Sequence, residues 1–214
     1  MKRTLTPEIL DSLPPDDPAA RHSRRDLRVF NAMLGGARWL WRTVPKLARP
    51  GGRVLEIGAG EGELGASMAR KGVVTDGLDL GPRPAAWAEA ARWHQTDVMA
   101  FDAWGEYGMV FGNLIFHHFD AETLRTLGGR MAARARVIVA CETSRSRMSR
   151  CLFPLLCTLI RANHVSRHDG RVSIEAGFLG DELPELLGLD SSVWKWKVKV
   201  TFRGLYRMVA QRRA

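Results

Sequence analysis

Cysteine is scarce in this chain, and the three present, Cys141, Cys151 and Cys157, form no C-x-x-C pair. That pattern implies neither a structural zinc site nor a disulfide framework. Long apolar runs are missing as well. The longest, residues 151–160, is ten residues with Pro154 inside it, too short to span a bilayer. Met1, Lys2 and Arg3 lead into polar residues and a Pro14-Pro15 pair, so no signal peptide is expected and a cytoplasmic protein is the default. Nucleic-acid-binding signatures are also lacking, despite a net charge of +9 and a pI near 10.2. No RNA-binding module is recognisable, and the aromatic residues are not interleaved with basic ones on a stacking platform. Arg21, Arg24, Arg25 and Arg28 stand beside Asp16, Asp17 and Asp26, which balance them in part. In 194–200 tryptophans and valines alternate with three lysines, the pattern of a strand with one buried face and one solvated face.

What is present is enough for one domain. The 214 residues, 45% hydrophobic and 26% charged, can bury a full core. Residues 54–65 carry the most information: the apolar run Val54, Leu55, Glu56, Ile57, then Gly58, Ala59, Gly60, Glu61 and Gly62, then a helical pattern over 63–70 closed by Gly72. Strand, glycine turn and helix make a nucleotide-cofactor site, because glycine lets the backbone approach a ligand and the helix start offers free N–H groups. The G-x-G-x-G spacing, with Glu56 two residues ahead of Gly58, turns the reading away from a nicotinamide cofactor. A second strand over 73–80 ends near Asp79, where a carboxylate can accept bonds from both hydroxyls of a ribose. An Ala-rich helix is expected over 87–93 and a third strand over 94–98, with Asp97 at its end. A fourth strand, 109–114, runs into Asn113-Leu114-Ile115-Phe116-His117-His118-Phe119, and a fifth, 137–141, ends at Glu142. Alternating strands and helices predict an α/β layered sheet with its ligand along the strand C-termini.

The stretch Val-Leu-Glu-Ile-Gly-Ala-Gly-Glu-Gly resembles motif I of the class I S-adenosylmethionine-dependent methyltransferases. The resemblance implies a Rossmann-like, seven-stranded, mostly parallel sheet in the order 3-2-1-4-5-7-6, with helices on both faces. The last two strands, 193–202 and 205–209, would form its closing antiparallel hairpin. It implies S-adenosylmethionine as cofactor, held by Glu56, Gly58, Ala59, Gly60 and Gly62, by Asp79 and Leu80 at the ribose, and by Asn113 at the fourth strand. Asp97 would take the adenine amino group, and the following Val98 N–H a ring nitrogen. The Asn/Asp-Pro-Pro-aromatic element of enzymes that methylate exocyclic amines or glutamine is missing. Instead 113–119 resembles the ubiquinone/menaquinone-methyltransferase type, although Gly108 stands where relatives carry an acid. A small-molecule acceptor is then implied, lipophilic ones included, with methyl transfer to oxygen of an aromatic, polyketide or quinone-like compound.

His117 or His118 could deprotonate such an acceptor, since neutral imidazole suits that task at pH 7. The blander role is structural: one orients the loop, the other packs against the next helix. No Asp/Asp-Asn trio suggests a divalent metal, and none is expected. Two other functions compete, RNA methylation, supported by charge alone, and a cofactor-binding scaffold or regulator without turnover.

Residues 1–50 read as an N-terminal helical extension that covers the substrate, and 51–214 as the cofactor-binding domain, all in one structural domain. Thr6-Pro7-Glu8 looks like the start of a short helix reaching Leu13. A longer helix follows from about residue 19, broken near Gly35-Gly36, and its apolar residues can cover the sheet, roof a pocket, or both. With Arg145, Arg147, Arg150 and Arg161 around it, 151–160 reads as core helix or lid, with weak membrane-surface contact as the third role. Residues 163–170 read as a polar turn. His164 and His168 stand four apart, but no third ligand makes them a metal pair.

Overall fold

Val54, Leu55, Glu56 and Ile57 are all buried, which is what a central parallel strand covered on both faces requires. In this computed structural model, which describes residues 2–14, 16–85 and 87–213, they form β1 (Val54–Ile57). Around it stand β2 (Thr75–Asp79), β3 (Trp93–Gln95), β4 (Met109–Asn113), β5 (Val137–Thr143), β6 (Trp194–Val200) and β7 (Leu205–Arg212). The sheet order is β3-β2-β1-β4-β5-β7-β6, as the resemblance implied. The first five strands are parallel; β7 runs antiparallel to both β5 and β6. On the edge strand β6 the lysines are exposed, while Trp194 is buried on the other face.

The helices are α1 (Pro18–Leu34), α2 (Gly36–Leu47), α3 (Glu63–Ala69), α4 (Ala121–Arg134), α5 (Arg147–Leu159), α6 (His164–Ala176) and α7 (Glu182–Leu186). Leu40 and Val44 of α2 and Met68 of α3 cover one face of the sheet. Leu124, Leu127 and Met131 of α4, with Leu183 of α7, cover the other. The N-terminal extension therefore divides: α2 belongs to the sheet's helical layer, and α1 packs against α6. Asp17 caps α1 by accepting from the N–H groups of Ala19 and Ala20.

Four elements depart from expectation. Residues 87–93 are not helical, because the Trp87 indole lies in a notch where Gly62, Gly65 and Gly77 leave no room for a Cβ. Trp87 Nε1 donates to the carbonyl of Arg92, and Trp93 stacks edge-on against Trp87, which starts β3 earlier than expected and leaves Asp97 beyond the strand. The short helix at 6–13 is an extended strap ending in a 3-10 turn, Leu10–Ser12. Its entry is held by the Asp169 carboxylate, which accepts from the N–H groups of Ile9 (2.8 Å) and Leu10 (3.0 Å). The polar turn at 163–170 is instead the first half of α6, capped by Asn163. Its inward face carries Ser166 and Asp169, buried because each finds a partner across the fold. Lastly, the apolar run 151–160 is helical to Leu159 as part of α5, which starts earlier, at the Ser146 cap, and ends at the Ile160 C-cap.

Helix α4 meets the end of α7 so closely that a Cβ on Gly128 would lie 1.9 Å from the Leu187 carbonyl oxygen. Gly128→Val should therefore cost about 3 kcal/mol of stability through overpacking. Urea denaturation reads this as a lower midpoint with unchanged slope.

Candidate functional site

At the end of β1 the chain turns through Gly58, Gly60 and Gly62, all with positive φ. They do different work. A Cβ on Gly58 would strike Ile115 and one on Gly62 would strike Trp87, whereas one on Gly60 would meet nothing within 4 Å. Gly60 thus faces open space at the sheet's C-terminal edge, where a ligand can approach the backbone. Ala59 packs with Trp87 and Ala91 below it. Asp79, at the end of β2, accepts from the N–H of Gly60 (2.8 Å) and of Gly81 (2.8 Å), one on each carboxylate oxygen. Each oxygen keeps a lone pair for one further donor, enough together for two hydroxyls. Next to it Leu80 is 71% exposed, an apolar surface for a flat ring. Asp97 is exposed and turns its Oδ1 to the N–H of Met99, while Val98 packs partly onto the core. Glu56 is buried, and its Oε2 has no hydrogen-bond partner. Burial pushes its carboxyl up to about 8, against a nearby Gly65 N–H and with help from the Asp79 charge. An orphaned buried carboxyl oxygen, an open glycine, a diol-binding acid and an exposed leucine, in order along the strand ends, fit the parts of S-adenosylmethionine.

The second half of the site lies past β4. Leu114 holds φ +58, a left-handed conformation rare outside glycine, and starts the turn that carries Phe116–His118. Glu142 at the end of β5 is fully buried and accepts from the N–H groups of Ile115 and Phe116, both at 2.8 Å. Its other oxygen lies 2.6 Å from His117 Nδ1, and His117 Nε2 lies 3.8 Å from Glu8 Oε1. Burial alone would lower the His117 pKa, but the charge and hydrogen bond of Glu142, with Glu8 adding, raise it to about 9. His117 is therefore an imidazolium between two carboxylates at neutral pH. Glu8 ends below the usual carboxylate range, since hydrogen bonds from His117 and Ser173 outweigh its burial. His118 moves the other way: burial and the neighbouring His117 charge lower its pKa, so it stays neutral. Sequence placed both histidines here without distinguishing them.

Donor atoms of Glu8, His117 and His118 lie within 4.8 Å of one another, a spacing that suits a metal ion. The His117 proton already links the cluster, and its charge repels a cation. His164 and His168 do fall on one helix, but no cluster of three metal ligands includes them among the described residues.

A raised His117 pKa makes a stability statement. The ordinary value is 6.5 and the folded value about 9, so its contribution is complete below about 6.5 and lost as pH rises through 9. Wild-type protein should melt at a lower temperature at pH 9.5 than at pH 7, and His117→Gln should shrink that difference.

Above the histidines is an apolar cavity of about 230 Å³. Leu27, Phe30 and Leu34 of α1 form one wall, and Leu152, Phe153 and Leu156 of α5 another. Asn113, Leu114, His117, His118 and Glu8 line its polar end. Asn113, expected at the cofactor, stands in this wall, with a buried Oδ1 that has no partner. Helix α1 spans both halves of the site, because Arg28 pairs with Glu61 of the glycine turn at 3.2 Å. The sequence reading missed Glu8 as a site residue and read Glu142 only as a strand end. A signal for Glu142 existed, an acid next to a buried strand, but nothing local marks Glu8. It reaches the site because Arg3 ties the strap down, donating to the carbonyls of Ala176, His117 and Phe119.

By sequence the chain matches no known protein family and no curated protein. By fold it is similar to the plantazolicin methyltransferase BpumL in complex with SAH (S-adenosylhomocysteine), at 15% identity over 92% of each chain and a TM-score of 0.68. Human N-acetylserotonin methyltransferase in complex with SAM shares 15% identity over 95% of this chain and 61% of its own, at TM-score 0.57. Burkholderia thailandensis 1,6-didemethyltoxoflavin-N1-methyltransferase, bound to 1,6-didemethyltoxoflavin and S-adenosylhomocysteine, shares 20% identity over 93% of this chain and 80% of its own, at TM-score 0.53. At these identities the likeness is one of architecture: the chain has the Rossmann-like, seven-stranded fold of the S-adenosylmethionine-dependent methyltransferases.

Proposed function

We propose that this protein is an S-adenosylmethionine-dependent methyltransferase that methylates a hydroxyl oxygen of a small, apolar, aromatic or quinone-like acceptor. The observation that carries the reading is a neutral histidine at the polar end of an apolar cavity, beside strand ends suited to the cofactor. A cavity of about 230 Å³ walled by leucine and phenylalanine suits one small ring system better than an RNA base with its phosphates. Bound S-adenosylmethionine would supply an electrophilic methyl group on a sulfonium.

The chain's own residues supply the rest. Gly60 and Asp79 hold the cofactor's backbone-facing side and its ribose. Walls from α1 and α5 exclude water and orient the ring. His118 accepts the hydroxyl proton at its free ring nitrogen. His117, clamped by Glu142, is a positioning residue, whose charge adds to burial in lowering the His118 pKa.

Three outcomes follow. Asp79→Ala should weaken cofactor binding by about 1.5–3 kcal/mol, the scale of hydrogen bonds to a charged group. Turnover should withstand a chelator; loss on treatment and recovery with zinc would make the histidine cluster a metal centre instead. The decisive assay measures S-adenosylhomocysteine release with a panel of phenols, resorcinols and hydroquinones. Turnover on at least one is expected. Cofactor binding with no turnover on any would make the protein a scaffold.

A further inference from the structure

The outer surface around the cavity has a character of its own. Among the described residues nine large hydrophobic ones are exposed, and five of them, Leu27, Met148, Leu155, Leu159 and Phe202, sit on three of the elements that line the cavity, α1, α5 and the β6–β7 turn. Scattered apolar residues need no explanation, but a concentration at one place does. Met148, Leu155 and Leu159 are 56%, 68% and 72% exposed. With Leu152, half-buried where the stripe meets the cavity wall, their spacing of four, three and four residues sets them in one line along α5. The opposite arc of the same helix holds buried Cys157, and the arc between them, Leu156 and Phe153, faces the cavity. Core helix, pocket wall and exposed stripe are thus one element. Phe202, 76% exposed, lies on the β6–β7 turn. That turn joins the start of α5, where the Ser149 hydroxyl donates to the Gly204 carbonyl.

Charge completes the pattern. Helix α5 contains no acidic residue, and Arg147, Arg150 and Arg161 stand at its ends. The Arg203 guanidinium lies 5.3 Å from the centre of the Phe202 ring. Across the cavity, Arg21, Arg24, Arg25 and Arg28 gather on one flank of α1 with Glu61 as the acid among them. Of the acids that neighbour these arginines in sequence, Asp17 caps the helix, and Asp26, buried against Ser166 of α6, pairs with Arg25 at 3.6 Å.

We propose that the mouth of the cavity is a membrane-docking rim, seated on an anionic lipid bilayer from which the acceptor enters directly. The exposed stripe and Phe202 would sink into the boundary between headgroups and acyl chains, as an amphipathic helix lying in the interface does. The flanking arginines meet lipid phosphates, whose charge complements theirs. No described helix is long and apolar enough to cross the membrane, so attachment is peripheral and reversible. Entry of the acceptor rests on the methyltransferase reading above; docking itself does not.

Flotation with lipid vesicles tests it. The intact protein should bind vesicles of equal parts phosphatidylglycerol and phosphatidylcholine, bind pure phosphatidylcholine poorly, and release in high salt. Leu155→Glu and Phe202→Glu should each weaken binding about tenfold, the scale of one apolar side chain leaving its buried place. Both variants should keep wild-type cofactor affinity and turnover of a water-soluble phenol. The idea fails if the wild type stays in solution with both vesicle types, or if the variants bind as well as it does. It fails too if light scattering shows a dimer that Leu155→Glu splits, because the stripe then joins two copies. Vesicle binding in a protein that takes up no cofactor would sink the enzyme reading and leave the rim standing.

Discussion

Replacing His118 by Gln should lower turnover about 10²–10⁴-fold while cofactor affinity stays unchanged, the usual weight of a general base. The expectation comes from the contrast between the two histidines. His118 lines the cavity and is neutral, so it has a lone pair to offer; His117 is buried, protonated and fixed between Glu142 and Glu8. The loss should shrink at high pH, where a phenol of unperturbed pKa about 10 ionises unaided. His117→Gln should behave differently. Removing its charge lets the His118 pKa rise towards 6.5, so the acid limb of the pH–rate profile should move to higher pH, with a smaller loss at pH 8. Steady-state kinetics across pH separates the two roles. Full activity in both variants at pH 7 would leave alignment alone driving the reaction, and an already acidic phenol or a self-activated carbon would become the acceptor.

Gly60→Val should weaken S-adenosylmethionine binding by at least about 100-fold. A side chain there would project into the open space at the strand ends, and its φ of +53 is a conformation that valine resists. The strain should cost the apo protein about 1–2 kcal/mol, leaving it folded. Gly62→Val is the control with the opposite signature. Its Cβ would strike the Trp87 ring at 2.7 Å, so stability should fall further and binding should fail with the fold. Equilibrium dialysis with labelled cofactor, beside urea denaturation, distinguishes them. Equal cofactor affinity in wild type and Gly60→Val would remove the glycine turn from the cofactor site.

The sheet was legible because its strands carry their own signal. β1, β4 and β5 are buried on both faces and so read as apolar runs, and the lysine–tryptophan alternation of β6 marks an edge. The glycine turn, Asp79 and the two histidines sit at or just past the ends of strands that the sequence marks. Elsewhere the decisive contacts are long-range. Helix α6 hid behind Ser166 and Asp169, polar residues that face inwards because Asp26 and the Ile9–Leu10 backbone meet them there. The Ala-rich stretch at 87–93 lost its helix to a glycine notch assembled from α3, β2 and the preceding turn. Glu8 reads as an early-helix acid, and only the strap held by Arg3 and Asp169 brings it to His117. Asp26 pairs with Arg25 at 3.6 Å, as its place among the arginines suggested, but it is also buried, and its other oxygen accepts from Asn163 and Ser166 at the start of α6.

The central claim is that the strand ends of this sheet bind S-adenosylmethionine. Isothermal titration of the purified wild-type protein with that cofactor tests it most directly. One saturable site is expected, with affinity reduced in Asp79→Ala and lost in Gly60→Val. No heat of binding to the wild type, at any concentration up to the millimolar range, would contradict the account.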